Sequence, residues 1–136
     1  MTLSQTTRIL LCSNSSGAKE SLQYYFQSNK IDFDLFPTLD RALTKIESGR
    51  FDTLILAVKG EKDDLDQIEK LSIVKKLDGN LPIVVICEID SIEVERIARL
   101  QGVFYYFVEP VNRTELMDVL GESIRLRRRK TERRMG

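Results

Sequence analysis

Residues 8–26, RILLCSNSSGAKESLQYYF, contain one complete strand-to-helix transition. Ile9–Cys12 is continuously apolar, the residues around Gly17 are small and polar, and Ala18, Leu22, Tyr25 and Phe26 then share one helical face. A strand covered on both sides, a tight loop and an amphipathic helix are the local consequence. The alternation recurs along the chain. Further apolar runs stand at IDFDLF (31–36), TLILAV (53–58), PIVVIC (82–87) and VFYYFV (103–108). Helical faces lie between and after them: Leu39, Ala42, Leu43 and Ile46; Leu65, Ile68 and Leu71; Val94, Ile97 and Ala98; Leu116, Val119, Leu120 and Ile124. Strict βα alternation with short connections predicts an α/β fold, an open parallel sheet with helices on both faces. Run 31–36 differs by alternating Ile31, Phe33 and Leu35 with Asp32, Asp34 and Phe36, as an edge strand with one wet face does.

Punctuation agrees with this reading. Thr38 is placed to cap the second helix, Gly49 and Gly102 to end the second and fourth, and Asn112 with Glu115 forms a capping-box pattern before the last. Open parallel sheets bind ligands beyond the carboxyl ends of their strands, so the loops after residues 12, 58, 87 and 108 are where function is sought.

Composition narrows the chemistry. The 136 residues include no histidine and two cysteines, Cys12 and Cys87, which leaves too few parts for a conventional zinc site or Ser-His catalysis. No run approaches the ~20 apolar residues of a membrane span, and a cytoplasmic location is the expectation. Net charge is zero, yet residues 125–134 carry seven basic residues against Glu132 alone, leaving the rest of the chain acidic.

The segments RILLCSN, FDTLILAVKG, LPIVVICE and GVFYYFVEPVNRTEL together resemble the CheY-like receiver domain of two-component response regulators. The resemblance spans residues 7 to about 126 and implies a flavodoxin-like (βα)5 doubly wound sheet of order 2-1-3-4-5. Residues 1–126 are then a receiver-like domain, and 127–136 a basic tail. Receivers hold Mg²⁺ with an acidic pair, accept phosphate on an aspartate, and use a Thr or Ser and a lysine beside it. Carried over, these positions are Ser13 and Asn14, Ala57, Cys87 and Glu109. All are changed. A Ser/Asn pair supplies no anionic oxygen for a hard cation, Ala57 has no nucleophile, and Glu109 repels a phosphoryl group. The expectation is a degenerate receiver that is not an enzyme and has no metal or cofactor.

Several readings stay open at this level. Lys59 is placed to reach Glu109 and replace the metal with an ion pair; equally, it points into water. Asp52, at the far end of its strand, reads as a surface residue, and Glu61, Asp63 and Asp64 as a solvated helix start. Cys12 and Cys87 read as inert buried thiols, since an intervening strand puts them about 9.6 Å apart. The loop 13–19 also resembles the phosphate loop of flavodoxins, with FMN or another phosphate-bearing ligand as the alternative function. Lys19 stands where that loop has threonine, and no tryptophan is present to stack on a flavin.

With phosphate chemistry removed, recognition remains. The resemblance implies an interaction face built by helix 4, strand 5 and helix 5, where Phe104 and Tyr105 replace acidic residues and Tyr106 falls on the aromatic coupling position. A protein partner or homodimer is expected there, against the simpler reading that these aromatics fill core. The tail residues Arg125, Arg127, Arg128, Arg129 and Lys130 extend the last helix, link to an output domain in a longer chain, or contact nucleic acid or anionic lipid. No DNA-reading motif follows them, and the acidic remainder opposes nucleic-acid binding by this domain alone.

Overall fold

The computed structural model describes residues 7–135. Residues 1–6 and 136, which the expected domain and tail boundaries include, and the side chains of Arg133 and Arg134 lie outside that description. Strands β1 (Arg8–Ser13), β2 (Asp32–Phe36), β3 (Thr53–Val58), β4 (Ile83–Cys87) and β5 (Tyr105–Val108) form one parallel sheet of order β2-β1-β3-β4-β5. The flavodoxin-like order expected from sequence is the order observed.

Helices α1 (Ser16–Ser28) and α6 (Arg113–Met135) cover one face, and α2 (Leu39–Glu47), α3 (Asp64–Glu69), α4 (Leu71–Leu77) and α5 (Ile92–Leu100) the other. Alternate strand residues feed the two cores. Ile9, Leu11, Ile55, Ala57, Val84, Ile86 and Phe107 meet α1 and α6, while Leu10, Cys12, Leu54, Leu56, Val85 and Cys87 meet α2 to α5. This double coverage is why the central strands read as unbroken apolar runs. Edge strand β2 is only half-buried, and Arg8 pairs with its Asp34 at 2.9 Å.

The caps follow the sequence. Thr38 Oγ1 accepts from Arg41 N at 3.4 Å and Asn112 Oδ1 from Glu115 N at 2.9 Å, while Gly49 and Gly102 take φ of 72° and 76°. The reciprocal half of the capping box is missing, because the Glu115 carboxylate accepts from the Tyr105 hydroxyl at 2.8 Å instead.

Three local expectations are corrected. The single third helix is broken at Lys70, where ψ of −10° and an Ile73 N to Lys70 O bond of 2.9 Å tighten the chain into a 3₁₀-type turn. Strand five begins at Tyr105 rather than Val103, so the pleat does not govern its first two residues. Val103 therefore packs with Tyr106 and Val108, and Phe104 with Phe107, the reverse of simple alternation for that pair. Asp64 is not solvated: it is buried, and its Oδ2 accepts from Gly60 N and Glu61 N, both at 2.8 Å.

Helix α6 runs 23 residues, about 35 Å at 1.5 Å per residue, straight across the expected boundary at 126. Arg127, assigned to the tail, lies inside the packed domain. Its guanidinium grips Asp78 through both nitrogens, at 2.7 and 2.5 Å, and donates to Gly49 O at 3.1 Å and Phe51 O at 3.2 Å. Arg128 is half-buried and reaches Asp52 at 3.6 Å, whereas Arg125, Arg129 and Lys130 are exposed. Asp52, read as a surface residue, also accepts from Arg8 N at 3.1 Å.

Candidate functional site

The carboxyl ends of β1, β3, β4 and β5 meet at one edge, with Ser13 beside Ala57, Val58 beside Cys87 and Cys87 beside Val108. The fold thus gathers Ser13, Ala57, Cys87 and Glu109, and leaves Asn14 and Lys59 exposed at the rim. Ser13 is buried, and its Oγ accepts from Ser15 N at 3.1 Å and donates to Ser15 O at 3.3 Å. Ala57 is fully buried, its methyl part of the core beneath α1 and α6. The residues present therefore do not fit the Mg²⁺ of active receivers: Ser13, Asn14 and Ala57 offer no carboxylate to a hard cation. Among the described residues, no group of three or more Cys, Asp or Glu is placed to hold a metal.

Cys87 Sγ donates to Ile89 O at 3.0 Å, and burial raises its thiol pKa. Burial pushes Cys12 up to about 12. Both thiols stay protonated, and β3 lies between their strands. Tyr106 is buried with its hydroxyl beside Cys87 and the Ser91 backbone but lacking a well-aligned hydrogen bond, and desolvation raises its pKa.

The Lys59–Glu109 ion pair does not form. Glu109 Oε2 instead accepts from Val111 N at 3.0 Å, and no ion pair joins it to exposed Lys59 among the described residues. The Lys59 backbone is tied elsewhere, its carbonyl accepting from Ile89 N at 2.9 Å. Alongside it Val58 O accepts from Glu88 N at 2.9 Å, so the β3–β4 ladder continues into the two loops. Gly60 lies against that second loop, at φ of 98°.

The group that sequence reasoning missed is Glu88. Helix α1 has no acidic residue in its first turn, and its N-cap residue Ser15 makes no cap bond of its own. Glu88 supplies the anion from the β4–α5 loop: its Oε1 accepts from Ala18 N at 3.1 Å and from the Ser15 hydroxyl. A helix N-terminus attracts negative charge, and here a side chain of the same protein satisfies it. The cradle that the flavodoxin-like alternative assigned to a phosphate already holds a carboxylate. Glu88 and Glu109 together line a pocket with Gly17, Ala18 and Ser21, and the Arg113 guanidinium donates to the Ser21 hydroxyl beside them. No signal within residues 13–19 points to Glu88, some 70 positions away.

Glu88→Ala is expected to lower stability by about 1 kcal/mol, the usual worth of a helix cap. It is also expected to open the α1 N-terminus to free anions. In thermal melts, inorganic phosphate then stabilises the variant but not the unmodified protein; equal responses contradict the assignment.

Apolar side chains are exposed on the adjoining surface. Ile89, Ile92 and Leu100 are 65%, 82% and 74% exposed on the β4–α5 loop and α5, and Tyr105 at the start of β5 is 38% exposed. Phe104 is half-buried and Tyr106 buried, so of the three aromatics expected on this face Tyr105 presents the most surface.

No protein-family model matches the sequence. No curated protein matches it either. Solved structures do. The signal receiver domain of an HD domain-containing protein from Pseudomonas fluorescens Pf-5 superposes with a TM-score of 0.82 at 17% identity, covering 98% of this chain and 97% of that one. A CheY-like response regulator receiver domain from Methanospirillum hungatei JF-1 gives 0.76 at 20% identity, covering 91% and 98%. The beryllofluoride-activated NtrC4 receiver domain, solved as a dimer, gives 0.72 at 17% identity over 88% and 98%. The chain has the receiver fold of two-component response regulators. No helix among the described residues is long and apolar enough to cross a membrane.

Proposed function

We propose that this protein is a degenerate receiver in cytoplasmic two-component-type signalling, acting without phosphorylation through the α5–β5–α6 face. One observation carries the interaction reading: Ile89, Ile92 and Leu100 are each more than half exposed on one short helix and its leading loop. Clustered exposed apolar side chains rimmed by charge mark protein interfaces. The occupant we favour is a second copy. Helix α5 presents Arg96 and Arg99 beside Glu93, and α6 presents Glu115, Asp118 and Glu122; Arg99 and Glu122 are each paired within the chain, so the apolar side chains and not the charges carry the two-fold arrangement. The NtrC4 neighbour is a receiver dimer, which supports assembly as a use of this fold.

The phosphorylation-independent half rests on Ala57. A methyl forms no acyl phosphate, and the Glu88 carboxylate fills the neighbouring α1 N-terminus. The fold is then a binding scaffold rather than an enzyme. The exposed residues Arg129, Lys130 and Thr131 of α6 lie on a helical connection to an output domain in a longer chain.

Incubation with acetyl phosphate and Mg²⁺, followed by intact-mass measurement and light scattering, tests both halves. The expected results are an unchanged mass and a dimer that Ile92→Asp with Leu100→Asp converts to monomer. A labile phosphoryl adduct contradicts the first half, and a monomer at every concentration contradicts the second.

A further inference from the structure

A second site lies at the opposite edge of the sheet, below the amino ends of β4 and β5. There the α4–β4 loop, the α5–β5 loop and α6 enclose a pocket of about 270 Å³. Its apolar wall is Leu81, Pro82, Val103, Phe104 and Leu126. Its polar rim is Lys75, Asn80 and Lys130, with no carboxylate in the lining.

Every electrostatic feature of that rim is unbalanced in one direction. Several basic side chains elsewhere meet acids, as Lys70 does Asp40 and Asp66, Arg99 Glu95 and Arg127 Asp78, and others such as Lys59 stand exposed in water; Lys75 is neither paired nor fully exposed. Among the described residues Lys75 and Lys130 have no ion-pair partner, and the Asn80 side-chain amide makes no hydrogen bond. Lys75 is half-buried, and its ammonium lies over Gly102, where even an added Cβ would sit 3.9 Å away. Burial, and then repulsion from Lys130, lower the Lys75 pKa. A lysine held below its unfolded pKa costs stability while charged, and a bound anion relieves that cost.

The structure assigns this pocket as a binding site for a small phosphomonoester carrying a compact apolar group. The two ammonium groups and the Asn80 amide supply donors for the phosphoryl oxygens, and Leu81, Pro82, Val103, Phe104 and Leu126 receive the organic body. Its volume lies just below the usual range for ligand pockets, which limits that body to about one ring. The occupied site joins α6 to both loops, so the ligand stiffens the helix that carries the basic tail. It is separate from the Glu88 cleft and does not depend on the proposed dimer.

The test is an amide NMR titration of the full chain with phenyl phosphate, beside inorganic phosphate and benzyl alcohol. The expected result is saturable shifts at Gly79, Gly102 and Val103 with phenyl phosphate, weaker ones with inorganic phosphate, and none with benzyl alcohol. Lys75→Gln with Lys130→Gln, checked for unchanged spectral dispersion, is expected to weaken phenyl phosphate binding by about tenfold or more. Phenyl phosphate is also expected to raise the melting temperature of the unmodified protein and not of the double variant. Absent or non-saturable shifts, shifts centred on Ala18, or equal affinity in the double variant overturn the site. Equal affinity for inorganic phosphate overturns the apolar half of the assignment.

Discussion

Arg127→Ala is expected to lower the unfolding free energy by about 3–5 kcal/mol, although the substitution lies in what reads as a basic tail. The side chains of Arg127 and Asp78 are both 8% exposed, and the guanidinium also carries the carbonyls of Gly49 and Phe51. Truncation leaves a buried carboxylate without a counter-charge and two acceptors without a donor. That loss corresponds to a fall in melting temperature of roughly 10–17 °C for a domain of this size. Lys in its place keeps the charge but not the two-pronged geometry, and recovers only part of the loss. Arg127→Met with Asp78→Leu removes both charges and is expected to be closer to the unmodified protein than either single change. Arg129→Ala, two residues on and exposed, serves as the control and changes little. Denaturant melts of these variants give the answer: a loss below about 1 kcal/mol for Arg127→Ala places the tail outside the cooperative unit.

Gly60→Ala is the second large effect. A Cβ there stands 2.2 Å from the Ile89 carbonyl oxygen and 2.8 Å from Cys87 Sγ, at a φ of 98°. The neighbours are the last residue of β4 and the loop that follows it, and the Ile89 oxygen is backbone, so the clash is relieved only by separating the two segments. The ladder bond from Ile89 N to Lys59 O and the Asp64 clamp on Gly60 N stand in the way. Left-handed strain of roughly 1–2 kcal/mol and an overpacking cost of roughly 1–3 kcal/mol give about 2–5 kcal/mol in total. Gly49→Ala isolates the first of these, because its φ is 72° and an added Cβ meets nothing within 4 Å. Gly49→Ala is therefore expected to cost about 1 kcal/mol. Equal losses in the two variants would show that the loops part freely, and that the carboxyl edge is not held in one arrangement.

Much of the architecture was legible in the residues because its causes are local. A strand covered on both faces needs consecutive apolar residues, a helix needs them at its own period, and a chain leaving a helix at Gly49 or Gly102 needs positive φ. Thr38 and Asn112 act within three residues of themselves. One chemical fact was legible for a similar reason: Ala57 lacks a nucleophilic oxygen in any fold. What misled was the assumption that regular periodicity continues through breaks. The chain tightens at Lys70, within a helix that Leu65, Ile68 and Leu71 describe as continuous. The reversed placing of Val103 and Phe104 has the same origin, an apolar run two residues longer than its strand.

Pairings across the chain were not legible. Glu88 and Ala18, Arg127 and Asp78, and Lys75 and Lys130 are each separated by dozens of residues, and each side chain alone has the composition of an ordinary surface group. Glu109 shows the opposite failure: an apparent partner in Lys59 lost to a backbone amide two residues away. By itself the sequence determined the layers, the direction of the strands, several helix ends and the methyl at position 57, since backbone sterics, apolar burial and side-chain chemistry act residue by residue. Only the tertiary structure decided which charges are buried, which helix end Glu88 fills and which lysines stand without a counter-ion. Electrostatic energy depends on distance and solvent access, and those exist only once the chain is folded.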